Sequence, residues 1–120
     1  MRCLSLCLIP LLLVASYSCR NNYETIKISR PRVEYRSNPQ GIDQTNPRFS
    51  WELNSVDRNK SQSAYQILVS KDSLDFESDE ALAWNSEKVK SNSSNGVAYQ
   101  GETLQSGKLY FWKLCVWDEE

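Results

Sequence analysis

From residue 26 onward apolar side chains recur at every second position, the period of strands with one buried face. Ile26, Ile28, Val33 and Tyr35 predict a first strand, interrupted near Pro31 as edge strands often are. Asn38-Pro39-Gln40-Gly41 and Thr45-Asn46-Pro47 carry turn chemistry. Arg48 to Leu53 then alternates cleanly, with Phe49, Trp51 and Leu53 inward, and Asp57 to Ser61 reads as a polar hairpin loop. Ala64 to Ser70 returns with Tyr65, Ile67 and Val69 on one face. Lys71 to Ala81 is acidic and reads as one helical turn or a loose loop. Leu82 to Val89 predicts a shorter strand, and Val97 and Tyr99 mark another beyond the polar stretch Ser91 to Asn95. Leu104 opens a turn into the last strand, where Tyr110, Trp112, Leu114 and Val116 share a face.

Six strands with turn signals at this spacing, no amphipathic helix and no βαβ alternation predict an all-β sandwich. A final strand this apolar belongs inside a sheet with a neighbour on each side. No further strand follows it, so the chain reads as the N-terminal piece of something larger.

The first 18 residues have a different pattern. Arg2 precedes an apolar run from Leu4 to Ala15, too short for the ~20 residues a membrane helix needs, and Ser16-Tyr17-Ser18 leads into Cys19. That is a signal peptide, followed by a tether over residues 19–25 and the sandwich from 26 to 120. Cys19 is the candidate lipidated residue of a bacterial lipoprotein, which would attach the chain to outer-membrane lipid. Ordinary signal peptidase cutting at the same bond is the alternative, and either way the product is exported to the periplasm or cell surface. With Cys3 and Cys7 lost in the leader, Cys115 is expected to be the one thiol inside the domain, leaving no intradomain disulfide.

Charge and composition narrow the chemistry further. There are 14 basic residues, Arg2 among them, and 15 acidic ones, so the net charge moves from −1 to −2 without the leader. No basic run points to nucleic acid. The sequence has no histidine, which removes Ser/His/Asp and Cys/His nucleophilic sites and the usual zinc sets. The four glycines are scattered and form no phosphate loop, so no cofactor is expected. Asp72, Asp75, Glu77, Asp79 and Glu80 lack the spacing of a calcium loop and read as a solvated surface. Asn59 and Asn92 begin glycosylation sequons that carry little meaning behind a bacterial-type leader. On the far side of the last strand Phe111, Cys115 and Trp117 alternate with the core residues. An exposed aromatic patch there marks either a domain-docking surface or a sugar-stacking platform.

A leucine before a glycine-containing turn and a tyrosine opening the next strand form a tyrosine corner, here Leu104 and Tyr110. With Trp51 as the large core residue of the second strand, the domain resembles a fibronectin type III or immunoglobulin-like sandwich lacking its last strand. Losing about three inward side chains forfeits ~1.5–3 kcal/mol each, against a net stability of ~5–15 kcal/mol. The ordered series Asn38-Pro-Gln-Gly-Ile-Asp43, Asn46-Pro-Arg-Phe-Ser-Trp51, Ala64-Tyr-Gln-Ile-Leu-Val69, Trp84-Asn-Ser-Glu-Lys-Val89 and Tyr110 to Asp118 goes further. Over Lys27 to Glu120 it resembles the N-terminal fibronectin-III-like domain of bacterial α-L-rhamnosidases.

The resemblance implies an inverting glycoside hydrolase that removes terminal α-L-rhamnose from glycans. Its acid and base are carboxylates of a separate helical barrel, so no catalytic residue carries over to any position here. What the resemblance implies for this chain is a non-catalytic accessory role, with the remaining domains of the polypeptide as partners and rhamnose-containing glycans as the enzyme's ligands. Asn85 and Glu87 stand where the family pattern has Asp and Gly. Other readings are a self-standing secreted carbohydrate-binding or adhesion module and a remnant of a broken reading frame.

Overall fold

A computed structural model describes residues 3–7, 26–55, 58 and 60–118, with residues 3–7 as backbone only. The leader beyond those five residues, the tether and Cys19 lie outside the described residues. The elements are β1 (Cys3–Cys7), β2 (Ile26–Val33), β3 (Arg48–Ser55), β4 (Gln62–Ser70), β5 (Leu82–Asn85), β6 (Val89–Lys90), β7 (Val97–Ala98) and β8 (Phe111–Asp118). Every described element is a strand, as the period of two requires.

The strands form two sheets. One runs β1-β8-β4-β5, with β6 also paired to β4, and the other runs β2-β3-β7. All pairings are antiparallel. This is an immunoglobulin-like sandwich. Its core is the set of inward positions read from the alternation: Ile28, Val33, Phe49, Trp51, Ile67, Val69, Leu114 and Val116 are all buried. Burying each large apolar side chain contributes ~1.5–3 kcal/mol. Phe49 packs on Trp112 with ring centroids 4.9 Å apart, and Trp51 meets Tyr65 edge-on at 5.4 Å. These two aromatic pairs tie the sheets together at separate points.

Gln62 is the buried polar residue between them, only 2% exposed. Strict alternation along β4 would turn it outward. A bulge between Gln62 and Ala64 shifts the register by one residue, so Gln62 faces inward together with Tyr65. Its Oε1 accepts from the Trp51 indole Nε1 at 2.9 Å, and its Nε2 donates to the Ser91 and Ser93 carbonyls at 2.8 Å each. The Trp51 backbone N–H donates to the Ser94 carbonyl at 2.9 Å. One amide thus joins β3, β4 and the loop that closes this end of the sandwich.

Several expectations need correction. Tyr35 is not in the first strand. β2 ends at Val33 after a bulge near Arg30 and Pro31, and Tyr35 lies in the following turn, half exposed. The predicted strand Leu82 to Val89 splits into β5 and β6, because Glu87 takes a left-handed φ of 55° and its N–H donates to Asn85 Oδ1 at 2.8 Å. Of the two readings of residues 71–81, the loop holds, with turns and no helix. The buried Ser70 hydroxyl holds them through the Asp72 and Asp75 carbonyls at 2.8 and 2.6 Å. β8 also has a neighbour on each side, β4 on one and β1 on the other, with Ser5 opposite Cys115. The place assigned to a missing last strand is therefore occupied by residues read as leader. Finally, Cys115 is disulfide-bonded, whereas a lone thiol was expected. That expectation assumed the N-terminal cysteines gone, and in the whole chain they are present.

Two substitutions test these local arguments. Gln62→Leu fills the space but orphans the buried Trp51 indole N–H, which should cost about 1–3 kcal/mol. The urea midpoint should fall with the slope unchanged, and an unaltered midpoint would refute the role given to this amide. Glu87→Gly should raise stability by up to about 1 kcal/mol. It relieves the ~1–2 kcal/mol cost of a left-handed L-residue and restores part of it as backbone entropy, ~0.5–1 kcal/mol. A lower melting temperature for the glycine variant would count against that account.

Candidate functional site: the outer face of the last strand

Alternation along β8 divides its side chains cleanly. Leu114 and Val116 are buried inward with Trp112 packed against the same cluster, so Phe111, Lys113, Cys115 and Trp117 take the opposite face. Pairing with β4 sets them beside Ser70, Leu68, Gln66 and Ala64 respectively. Phe111 and Trp117 therefore lie at the two ends of one row on the outside of the larger sheet, as expected. Both are half-buried rather than freely exposed. Between Trp117 and Lys90, its two cross-strand neighbours, Ala64 is 1% exposed. The Lys88 ammonium sits 4.7 Å from the Trp117 ring centroid, a cation–π contact worth ~0.5–1 kcal/mol at an exposed site. Gln66 Nε2 donates to Asn85 Oδ1 at 3.0 Å. The face has an aromatic ring at each end, Lys113 and the Gln66 amide in the middle, and Lys88 and Lys90 at its Trp117 end.

The expected structural residues fall where the sequence placed them. Trp51 is 3% exposed in the core. The Tyr110 hydroxyl accepts the backbone N–H of Gln105 at 2.9 Å, completing the tyrosine corner, and Leu104 and Tyr110 both pack against the core. A second phenol does similar work unannounced. Tyr99 is 1% exposed, and its hydroxyl lies 2.6 Å from the Glu102 carbonyl and 3.2 Å from that of Ala83. Burial, with the Glu102 charge adding to it, pushes this phenol up to about 12.

Sequence reasoning missed the clamp formed by Glu34 and Arg48. Glu34 and Tyr35 have φ of 49° and 62°, and Val33 and Arg36 exchange backbone hydrogen bonds at 3.0 Å. This is a two-residue turn of the primed type, which usually needs Asn or Gly. Here Arg48 secures it. Its backbone N–H donates to Glu34 Oε1 at 2.6 Å, its Nη2 donates to Oε2 at 3.0 Å, and its guanidinium lies 5.2 Å from the Tyr35 ring centroid. The hydrogen bonds from Arg48 hold the Glu34 carboxyl below its ordinary range. In hindsight the signal was a Glu-Tyr pair directly after an interrupted strand, followed by an Arg in the next one.

Two carboxylates of the acidic loop hold turns. Asp72 Oδ1 accepts from Leu74 N–H at 2.9 Å, and Asp75 Oδ1 accepts from Glu77 and Ser78 N–H at 3.1 and 2.8 Å. Among the described residues no group of His, Cys, Asp and Glu is placed to hold a metal ion.

A two-sheet sandwich with a tyrosine corner and an Arg-clamped turn defines the class, an immunoglobulin-like module. The chain belongs to the family described as "Rha78A-like, N-terminal immunoglobulin domain", whose model matches residues 28–120. It is 36% identical over 112 residues to an α-L-rhamnosidase of Formosa agariphila, covering 91% of this chain and 12% of that protein. It is also 36% identical over 95 residues to an α-L-rhamnosidase of Streptomyces avermitilis, covering 79% of this chain and 9% of that one. The solved Streptomyces avermitilis α-L-rhamnosidase complexed with L-rhamnose superposes with a TM-score of 0.71 over 78% of this chain and 9% of its own, at 36% identity. The α-L-rhamnosidase from Dictyoglumus thermophilum gives a TM-score of 0.66 at 33% identity, over 76% of this chain and 10% of its own. The chain thus spans only a small fraction of the relatives it matches.

Proposed function

We propose that this chain serves as the non-catalytic N-terminal accessory module of an α-L-rhamnosidase-like glycoside hydrolase, one that removes terminal α-L-rhamnose from glycans. The observation that carries the reading is the match of 91% of this chain to 12% of an α-L-rhamnosidase. Inverting hydrolysis needs two carboxyl groups about 6.5–9.5 Å apart across a sugar. Here Glu34 is bound to Arg48, and Asp72 and Asp75 cap turns, so the acids with assigned contacts serve the fold. The module's contribution is then contact, and the Phe111–Trp117 row is the surface through which it packs on the rest of the polypeptide.

Export follows from the leader pattern, with Cys19 as the lipid-bearing residue on the periplasmic or outer surface of the outer membrane. Cleavage there, together with reduction of the disulfide that joins Cys115 to an N-terminal cysteine, removes β1 with the leader and frees the outer edge of β8 beside the aromatic row. An open edge of this kind accepts an added strand, which gives docking a backbone component.

Three experiments test these readings: a hydrolysis assay, a chimera and a mass measurement. The chain alone should not hydrolyse p-nitrophenyl α-L-rhamnopyranoside, and turnover above buffer would overturn the accessory role. Substituted for the matching segment of the Formosa agariphila relative, it should sustain activity. Phe111→Ser with Trp117→Ser should then lower the melting temperature of the chimera more than that of the isolated chain. Equal losses in both settings would remove the docking face. For export, the mass of the product recovered from membranes should correspond to a chain beginning at Cys19 with a diacylglyceryl group. Recovery of the intact N-terminus, with β1 retained, would overturn that part.

A further inference from the structure

At the opposite side of the larger sheet from β1, the two sheets part to leave a cleft of about 440 Å³, within the ~300–1,000 Å³ range of small-molecule sites. Tyr65 of β4, Trp84 and Asn85 of β5, Ser86, Ser93 and Gln100 line it, together with small apolar residues of β6 and β7. No charged side chain is among them. That composition disfavours phosphates, carboxylates and cations, whose recognition draws on a counter-charge. Two aromatic residues beside two amides and two hydroxyls match a neutral ligand with an apolar ring face and hydroxyls around its rim.

Polar capacity is left over in the cleft. Among the described residues neither the Tyr65 hydroxyl nor the Gln100 side chain makes a hydrogen bond, and no buried side-chain polar atom lacks a partner. These groups are therefore wet and available. Asn85 uses its Oδ1 for Gln66 and Glu87, which fixes the amide so that its Nδ2 remains to donate. An amide offers a donor and an acceptor side by side, the arrangement that fits neighbouring hydroxyls.

The walls are also held in place. Trp84 stacks on Phe49 at 6.1 Å and meets Tyr99 edge-on at 5.2 Å. Tyr65 rests on Trp51, and the loop bearing Ser93 is pinned by Gln62. At Gly101 an added Cβ would lie 2.4 Å from the Trp84 Cβ and 2.5 Å from the Ala83 carbonyl, so the chain packs onto the back of Trp84 where only glycine fits. A site whose groups do not need to be ordered on binding loses less affinity to entropy.

We infer that this cleft binds one ring of a neutral sugar, with Tyr65, Asn85 and Gln100 as hydrogen-bonding groups. The site does not depend on the docking face, which lies on β8, so either can fail alone. The full chain, labelled with ¹⁵N, is titrated with methyl α-L-rhamnopyranoside and separately with methyl α-D-glucopyranoside. Saturable shifts should cluster at Ser86, Ser93, the Asn85 and Gln100 side-chain amides and the Trp84 indole for at least one sugar. Tyr65→Phe and Gln100→Ala should each weaken binding about 3–10-fold, the range of one hydrogen bond, while leaving the dispersion of the remaining signals intact. Both changes are conservative for folding, since the first keeps the ring and the second is at an exposed position. No saturable shift with either sugar up to about 100 mM, a free energy of only ~1.4 kcal/mol, would overturn the inference. Shifts that ignore both substitutions would do the same.

Discussion

The sandwich depends on a single buried amide. Two sheets without a helix between them have only side-chain contacts to fix their relative position. Most of those contacts are apolar and tolerate sliding. Gln62 does not, because its three hydrogen bonds each have one direction. The Trp51 indole needs an acceptor when buried, and the loop carbonyls of Ser91 and Ser93 need donors. One side chain meets all three demands, and it can do so only because of the bulge at Ser63. That bulge is held in turn by the Ser63 hydroxyl on the Trp117 and Asp118 carbonyls at 3.3 and 3.0 Å. The chain of dependence therefore runs from the end of β8 through β4 to the opposite sheet.

β8 is where the core and the proposed contact surface share one strand. Its inward side chains belong to the core and its outward row is the proposed contact surface, so a register slip would exchange them. Eight residues of pairing with β4 hold the register from one side. The other edge is paired with β1 in the whole chain. Pairing on both edges fixes which face the aromatic row takes.

Legibility of the sequence followed periodicity. Phe49, Trp51, Ile67, Val69, Leu114 and Val116 were readable as core because they obey a period of two. The tyrosine corner was readable because Leu104 and Tyr110 sit at characteristic positions around a glycine turn. Gln62 was invisible for the opposite reason: a bulge reversed its face, and no local composition announces a bulge of this kind. Tyr35 was misplaced because a β-favouring aromatic followed Val33, while the Arg48 clamp that makes a primed turn acceptable for Glu-Tyr comes from a different strand. Glu87 was noticed as a departure from Gly, and its left-handed φ supplies the physical reason that glycine suits the position. The cleft could not be read at all, since the segment from Trp84 to Gln100 breaks into three short strands and their connections, and Tyr65 joins it from β4.

Two of the segments that carry the family resemblance turn out to be architectural. In Asn46-Pro-Arg-Phe-Ser-Trp51 the proline is buried, Arg48 clamps a turn, and Phe49 and Trp51 are core. In Trp84-Asn-Ser-Glu-Lys-Val89 the tryptophan packs on Phe49, Asn85 and Ser86 hold a break between strands, and Ser86 Oγ accepts from Ile67 N–H at 2.8 Å. A motif of this kind identifies a module through the demands of its fold and says nothing about what the module touches. The readings proposed above place that information in Phe111, Trp117, Tyr65 and Gln100, whose side chains are not fully buried. A half-buried aromatic or an unpaired amide is weakly constrained by packing, so its identity is free to answer to a ligand or a neighbouring domain. Tyr65, Phe111 and Trp117 belong to the same ordered series that carries the resemblance, so the positions proposed for contact are drawn largely from its segments, on side chains that the core leaves partly open.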